Sequence, residues 1–394
     1  MTSKERMVAA MNHMTPDRVP VMCQLSIGHY FLNCKYQPSR IWFDSETFAL
    51  AITEQQKKYK FDGVLINLPG RPNDWEKYLV SDEKEGSSEK LRWKNGYETI
   101  VPNDDNAHTF LPGRIPLPRA AFETTDPENI STFINPGYIW STYHMPDLWG
   151  FDPGADLTDP SSYPASFTNA LKAVKKHAGD ISIHAEVFSP FTHLLELFGY
   201  QEALMGMMIY PDVCKKLLEY FTKITLSEVN VYAAEGGIDA ILVSSAFAGA
   251  GFIGRDDYRQ FVMPYEDVVF KEIKAHNLFS YVHTCGAIGD RLDLMDQTSV
   301  DGIDTLDPPP LGTVQLDEAK AKFGDRFFLK GNLDSINELL NADDKTFEEA
   351  VIGRIKTGKP GSGYILSTAC SVSPYVKPER LKRLAELSEM YGTY

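Results

Sequence analysis

The chain has 394 residues, of which 43% are apolar and 24% are charged, a composition that supports a large core and excludes disordered and fibrous proteins. Its 39 Lys and Arg residues against 54 Asp and Glu residues give a formal charge of −15, which would repel a nucleic-acid backbone. No segment has the roughly 18 consecutive apolar residues of a membrane span, and the first residues lack the apolar core of a signal peptide. We therefore expect a cytoplasmic protein that binds neither nucleic acid nor membranes.

The first predicted element is a helix. Thr2 and Glu5 have the spacing of a capping box directly before the apolar run Met7–Met11, and Thr15 with Pro16 ends the helical pattern. Beyond it, eight short runs of apolar, β-branched and aromatic residues alternate with helical patterns, one of which covers Asp256–Ala275. We predict strands at Val19–Gln24, Asp62–Asn67, Ile181–Val187, Ile238–Ser244, Phe279–Thr284, Asp301–Thr305, Arg326–Gly331 and Gly363–Ala369.

Eight strands that alternate with helices predict an α/β fold, the TIM (β/α)8 barrel, as a single domain over residues 1–394. An open doubly wound sheet is the alternative. It loses support because no Gly-x-Gly-x-x-Gly or Walker-type loop follows any predicted strand.

The interval 68–166 is too long for one strand-to-helix connection. It is rich in aromatic residues, among them Trp75, Trp93, Trp140, Tyr143 and Trp149. We predict that it is an insertion near the barrel mouth. It serves either as a lid over that mouth or as a subdomain that only adds stability.

Three residues have the chemistry of a metal site. His283 and Cys285 end one predicted strand two positions apart, so their side chains project from the same side. Cys370 ends the last predicted strand, and both strands reach the carboxyl-end rim where barrel enzymes assemble their sites. One His and two Cys with a position left open are typical of catalytic zinc. The alternative is structural, with buried cysteines that pack as small apolar residues.

Polar residues at neighbouring strand ends complete the candidate site. Glu186 shares a strand face with His184 and is the candidate fourth zinc ligand, or else a rim carboxylate that holds a loop. Asp304 and Asn332 could orient His283 or bind a polar substrate, or else form turns and helix caps. These three residues are the predicted catalytic set.

A loop of small residues follows the fourth predicted strand. Ser244, Gly249 and Gly251 belong to this loop, and we predict that they allow a large planar cofactor to approach closely. The loop has neither the Lys nor the spacing of a phosphate-binding loop.

With these motifs the chain resembles the uroporphyrinogen decarboxylase superfamily, and within it the corrinoid-dependent methyltransferases. The resemblance begins with Lys4–Arg6 and Asp17–Pro20, continues through His283–Gly286 and Asp301–Asp304, and ends with Leu329–Asp334 and Cys370. It implies a barrel in which His283, Cys285 and Cys370 bind Zn²⁺. The implied activity is methyl exchange between a small methylated substrate, for example a methyl ether, or a thiol acceptor and the cobalt of a corrinoid (cobalamin).

The decarboxylase branch of this superfamily fits the chain less well. Its members carry an arginine-rich stretch after the first strand, whereas Gln24–Tyr30 contains no arginine. Eight porphyrinogen carboxylates need cations around them. The corrinoid-binding motif Asp-x-His-x-x-Gly is also absent, so we expect a separate corrinoid protein to dock transiently over the barrel mouth. A metal-free decarboxylase-like lyase and a non-catalytic barrel that binds a small molecule or corrinoid are the alternatives.

Overall fold

A computed structural model describes residues 1–126, 145–152 and 154–394 of the chain. Seven parallel strands form one sheet, in the order β1-β7-β8-β9-β10-β11-β12, and five antiparallel strands form a second sheet, in the order β2-β3-β4-β5-β6. The strands are β1 Gly63–Ile66, β2 Leu79–Glu85, β3 Ser88–Trp93, β4 Glu98–Val101, β5 His108–Leu111, β6 Ile115–Pro116, β7 Ser182–Phe188, β8 Ala240–Ser244, β9 Phe279–His283, β10 Gly302–Thr305, β11 Phe328–Leu333 and β12 Tyr364–Thr368.

Helices surround the parallel sheet. They are α1 Ser3–Met11, α2 Ile27–Asn33, α3 Pro38–Phe43, α4 Ser45–Tyr59, α5 Pro146–Trp149, α6 Asn169–Ala178, α7 Pro190–Phe198, α8 Tyr200–Ile209, α9 Pro211–Glu235, α10 Arg255–Phe261, α11 Met263–Ala275, α12 Leu292–Met295, α13 Leu316–Phe323, α14 Asp344–Gly358 and α15 Pro378–Tyr391. The architecture is a TIM-like α/β barrel, as predicted. Within the described ranges, no helix is both long enough and apolar enough to cross a membrane.

Seven of the eight predicted strands form, and the first one does not. The segment Val19–Gln24 makes a single isolated bridge, between Val21 and Leu366, because Pro20 has no N–H to donate to a ladder. It nevertheless lies at the seam of the barrel. The Leu366 N–H on β12 donates to the Pro20 carbonyl at 2.9 Å, and the Asp62 N–H next to β1 donates to the Val21 carbonyl at 2.8 Å. This segment therefore links the two ends of the parallel sheet.

The helix predicted over Asp256–Ala275 is two helices, α10 and α11, which is a correction to the sequence prediction. The break falls at Val262, whose backbone is not helical (φ −120°, ψ −66°). Pro264 cannot donate to the carbonyl of Gln260, so a continuous helix would lose a hydrogen bond there. By contrast, helix α1 begins at the predicted capping box, in which Thr2 and Glu5 bond each other's backbone N–H.

A buried ion network ties the amino-terminal segment to the base of the barrel. Asp62, fully buried, accepts from Arg6 Nη1 at 2.6 Å and from Arg18 Nη1 at 2.9 Å. Its Oδ2 also accepts from the Val21 N–H at 2.8 Å. Because the carboxylate has two cations and a backbone donor, its burial is compensated.

The second sheet, β2–β6, lies within the interval 68–166. Its inner residue Trp93 packs on Phe43 of α3 with ring centroids 5.1 Å apart, and Phe43 stacks on Trp75 at 5.4 Å. These buried aromatic rings fasten the sheet to the barrel helices. Trp149 is also buried. Trp140 and Tyr143 lie outside the described residues.

Candidate metal centre

His283, Cys285 and Cys370 come together at the carboxyl-end rim of the barrel. His283 is the last residue of β9 and Cys285 follows it two positions later, while Cys370 lies two positions after the end of β12. The distance from His283 Nε2 to Cys285 Sγ is 3.2 Å, and the two sulfur atoms are 3.6 Å apart. One donor atom from each of the three residues lies within 4.8 Å of the others.

This arrangement fits a tetrahedral zinc ion. Zinc with bonds of about 2.3 Å to sulfur separates two sulfur ligands by about 3.8 Å, close to the observed 3.6 Å. A disulfide needs about 2.0 Å between its sulfur atoms, and both cysteines are free. Two soft sulfur donors and one imidazole are also the ligand types that zinc prefers.

A buried carboxylate orients the imidazole of His283. Asp304 on β10 lies beside His283 in the strand register, and its Oδ2 is 2.9 Å from His283 Nδ1. Nε2 is then directed toward the thiols. A metal-binding His generally donates its second ring N–H to a carboxylate in this way.

Lys330 on β11 completes this support. Its Nζ donates to Asp304 Oδ1 at 2.8 Å, and both side chains are buried. Burial alone would raise the pKa of Asp304, but the charges of Lys330 and His283 hold it at about 2. The sequence analysis did not identify Lys330. A lysine directly after the apolar run Phe327–Leu329 was the available signal, because buried lysines are nearly always paired.

The pKa values of the three residues favour an imidazolium at His283 and a thiolate at Cys370. Burial opposes protonation of His283, yet the neighbouring Cys285 sulfur and Asp304 raise the pKa of His283 well above its ordinary value. The hydrogen bond between the two thiols lowers the pKa of Cys370 and raises that of Cys285. A thiolate beside an imidazolium is thus stabilised, and thiolate is the form in which sulfur binds metals.

The three residues lie in the wall of a cavity of about 380 Å³, a volume typical of small-molecule sites. Glu186 at the end of β7, Phe188 and Ser244 line the same cavity. Register pairs Phe188 with Ser244 and Ser244 with His283 across three adjacent strands. Burial raises the pKa of Glu186 to about 7, against the opposing effects of His283 and of a hydrogen bond with Ser244.

The other predicted residues are placed differently. Asn332 is buried, and its Nδ2 donates to the carbonyl of Leu306 at 3.0 Å, so it holds a loop behind the rim. A Cβ atom on Gly249 would lie 2.6 Å from the Cys285 carbonyl oxygen, so this glycine lets its loop approach the metal-site loop. Gly251 faces open space. The predicted catalytic role of Asn332 and the predicted cofactor contacts of Gly249 and Gly251 stay predictions.

The insertion contributes a side of the cavity that sequence reasoning did not identify. Asp104, Asp105 and Asn106, in the turn between β4 and β5, line it. Asp104 also bonds the hydroxyl of Tyr375, which belongs to the segment after β12. No local pattern marks these residues as functional, because the contact depends on how the second sheet packs on the barrel.

The fold and the site together define the class of protein: it is a parallel α/β barrel with a candidate metal site of one His and two Cys at its carboxyl-end rim. The sequence model described as uroporphyrinogen decarboxylase (URO-D) matches residues 154–391, which is more than half of the chain. The chain belongs to the uroporphyrinogen decarboxylase family.

The relatives of the chain have two different activities in their names. A uroporphyrinogen decarboxylase from Alkalilimnicola ehrlichii is 25% identical over 234 residues, which cover 57% of this chain and 61% of that protein. The methylcobamide:CoM methyltransferase MtbA of Methanosarcina mazei is 24% identical over 226 residues, which cover 56% of this chain and 63% of that protein. The matched region thus spans about three fifths of the length of these curated relatives.

A solved structure, described as a methyltransferase from Methanosarcina mazei, has a similar fold along the whole chain. It covers 99% of both chains with a TM-score of 0.66 and 16% sequence identity. At this identity the likeness establishes the fold alone.

Proposed function

We propose that this protein is a zinc-dependent methyltransferase that moves a methyl group between a small methylated substrate, or a thiol acceptor, and the cobalt of a corrinoid carried by a partner protein. The observation that carries the proposal is the group His283, Cys285 and Cys370 in the cavity wall. Zinc bound to these residues would lower the pKa of a bound thiol or act as a Lewis acid on a bound oxygen.

The residues around this group have separate roles. Asp304 keeps the His283 proton on Nδ1 and leaves Nε2 for the metal, while Lys330 keeps Asp304 ionised. Glu186 is the candidate fourth ligand, which an arriving substrate would displace, because it lines the same cavity from β7. The second sheet serves as a lid in this proposal, with Asp104 to Asn106 forming part of the cavity wall.

The lining of the cavity favours methyl transfer over decarboxylation of a porphyrinogen. Gln24, Leu25, Ser26, Ile27 and Gly28, from the stretch that resembles the arginine-rich segment of decarboxylases, line the cavity without a cation. None of the described residues that line it is Lys or Arg. Eight carboxylates in this cavity would find no Lys or Arg side chain among the described lining residues to neutralise them.

A corrinoid protein is the proposed partner, and it would dock transiently over the carboxyl-end rim. The support is the sequence itself, in which none of the nine histidines occurs in an Asp-x-His-x-x-Gly motif. The methylated compound in this proposal is a methyl ether or a similar small molecule that fits about 380 Å³.

Metal content tests the site. Elemental analysis of protein purified without added metal should give about one zinc per chain in the parent and a large loss in Cys285→Ala and Cys370→Ala. Cys34→Ala is the matched control, because Cys34 is a free, partly buried thiol beside Gln55, away from the three ligands. Full zinc content in both ligand variants would overturn the zinc site.

Turnover tests the chemistry. Methylcobalamin with a thiol, and cob(I)alamin with methylated compounds, should react in the presence of the parent protein and not of Cys285→Ala, as followed by the cobalamin absorbance. Release of CO₂ from uroporphyrinogen by both proteins would favour the metal-free lyase. Binding without any turnover would favour the non-catalytic barrel.

A further inference from the structure

We infer that the substrate of this cavity carries a positively charged nitrogen in addition to the methylated or thiol end, and that Asp104 and Asp105 select for it. The inference rests on the proposed function for the position of the reacting end. It goes beyond that function by assigning the charge of the substrate and the residues that recognise it.

The first argument for a cationic substrate is the charge of the cavity wall. Three acidic residues are among the described residues of the cavity wall: Glu186 near the thiols, and Asp104 and Asp105 on the insertion turn, where the Asp105 side chain is 68% exposed. No Lys or Arg is among the described lining residues, and His283 is a metal ligand in the proposed site. Lys330 is not among the lining residues, and it is buried and paired with Asp304. Zinc with two thiolates has no net charge, so Asp104 and Asp105 set the sign of the potential on their side of the cavity.

The second argument is that the cavity wall contains hydrogen-bond acceptors without partners. Gln24 Oε1 and Asn67 Oδ1 are shielded from solvent and have no hydrogen-bond partner, and both residues line the cavity. A buried acceptor without a donor destabilises the folded protein. Both oxygens are closed to solvent, so either side chain has to turn before an N–H group of a ligand satisfies its oxygen, whereas a sulfonate or carboxylate brings only further acceptors.

The remaining wall suits the same ligand. Trp42 and Phe188 line the cavity together with the carboxylates, and an ammonium group gains from aromatic neighbours as well as from carboxylates. The formal charge of −15 on the whole chain adds an attraction for cations at long range.

The recognition residues are held in place by contacts of their own. Asp104 bonds the Tyr375 hydroxyl. Its backbone packs on α2 so closely that a Cβ on Gly28 would lie 2.0 Å from the Asp104 carbonyl oxygen. The turn that carries both carboxylates is therefore fixed against the barrel, which is what a selective contact requires.

The experiment uses three probes with the same skeleton and different charge: 2-(methylthio)ethylamine, 2-(methylthio)ethanol and 2-(methylthio)ethanesulfonate. Calorimetry on the zinc-loaded full-length protein at low salt should show the amine binding about tenfold or more tightly than the sulfonate, with the alcohol between them. The double variant Asp104→Asn and Asp105→Asn should lose most of this difference. Addition of salt should weaken the preference in the parent.

The matched control is the double variant Asp82→Asn and Glu83→Gln. It removes the same net charge from two exposed residues of the same sheet that do not line the cavity, and it should keep the preference of the parent. Equal binding of the three probes, tighter binding of the sulfonate, or an equal effect of both double variants would overturn the inference.

Failure of the proposed function would look different. The probes bind without a corrinoid, and Cys285→Ala should lose methyl transfer while retaining the preference for the amine. Absence of turnover with an intact preference would refute the methyltransferase and leave this inference standing. Turnover with an anionic thiol as the preferred acceptor would support the methyltransferase and refute the inference of a cationic substrate.

Discussion

Asp304 shows what a single residue behind the metal ligands contributes. Its two oxygens hold His283 Nδ1 at 2.9 Å and Lys330 Nζ at 2.8 Å. We expect Asp304→Asn to lower zinc affinity about 10- to 100-fold, because the amide holds the imidazole less well in the required tautomer and orientation. Competition with a chromophoric chelator measures the affinity.

Asp301→Asn is the control for this change. Asp301 precedes the same strand but bonds Ser280, outside the metal site, so the variant should bind zinc like the parent. An unchanged affinity in Asp304→Asn would show that His283 needs no carboxylate. Equal losses in both variants would indicate general damage to β10.

Single residues were predictable from sequence when their position followed from strand geometry. Strand alternation predicted that His283 and Cys285 share one side, and they do lie together although Cys285 is two positions beyond the end of β9. Cys370 lies nearby because parallel strands in a barrel end at one rim. Lys330 was not identified because its partner Asp304 comes from the adjacent strand. Asn332 ends a strand as expected, but its side chain donates to a loop carbonyl, a rotamer choice that no sequence pattern encodes.

The packing of helix α2 against the turn between β4 and β5 makes a prediction for whole elements. A methyl group at Gly28 would lie 2.0 Å from the Asp104 carbonyl oxygen, so the helix and the turn must separate. We expect Gly28→Ala to lower the free energy of unfolding by about 1–3 kcal/mol and to weaken the binding of the amine probe. Denaturant titration and calorimetry measure the two effects.

Gly353→Ala on helix α14 tests the same substitution where nothing lies within 4 Å of the new atom. Alanine stabilises a helix interior by up to about 1 kcal/mol relative to glycine, so this variant should be slightly more stable and bind normally. A Gly28→Ala protein with the stability and probe affinity of the parent would show that the contact with the turn is not tight.

Elements were predictable where one periodic pattern lasted for a whole segment, and were not where backbone chemistry interrupted it. Seven apolar runs form β-strands, but Val19–Gln24 contains Pro20 and forms only a single bridge. The apolar pattern of Asp256–Ala275 continues through the break at Val262. This pattern depends on side chains alone, so it gives no sign that Pro264 lacks the N–H that a continuous helix needs. The antiparallel sheet of the insertion was read only as an insertion, since β2 and β3 are mostly polar and β4 to β6 have at most four residues each.

For the molecule as a whole, the pH dependence of stability has a specific source in Glu228. This carboxyl group is buried on α9, and burial raises its pKa to about 8. In the unfolded chain it ionises near its ordinary pKa of about 4.3, so the unfolded state gains from ionisation at pH values where the folded state does not. This difference lowers the free energy of unfolding. The loss is absent below the lower pKa, grows by about 1.4 kcal/mol per pH unit between the two pKa values, and is constant above the higher one.

Glu228→Gln removes this loss while keeping the size of the side chain. The variant should match the parent in stability at about pH 4 and exceed it by on the order of 5 kcal/mol at pH 9, as measured by urea unfolding at a series of pH values. Glu202→Gln, an exposed glutamate on α8, makes the same change in net charge and should give a difference that stays within about 0.5 kcal/mol across the series. Repulsion within the acidic chain increases with pH in all three proteins, so it cancels in the comparison. A Glu228→Gln advantage that does not change with pH would mean that the folded protein ionises this carboxyl group as readily as the unfolded chain.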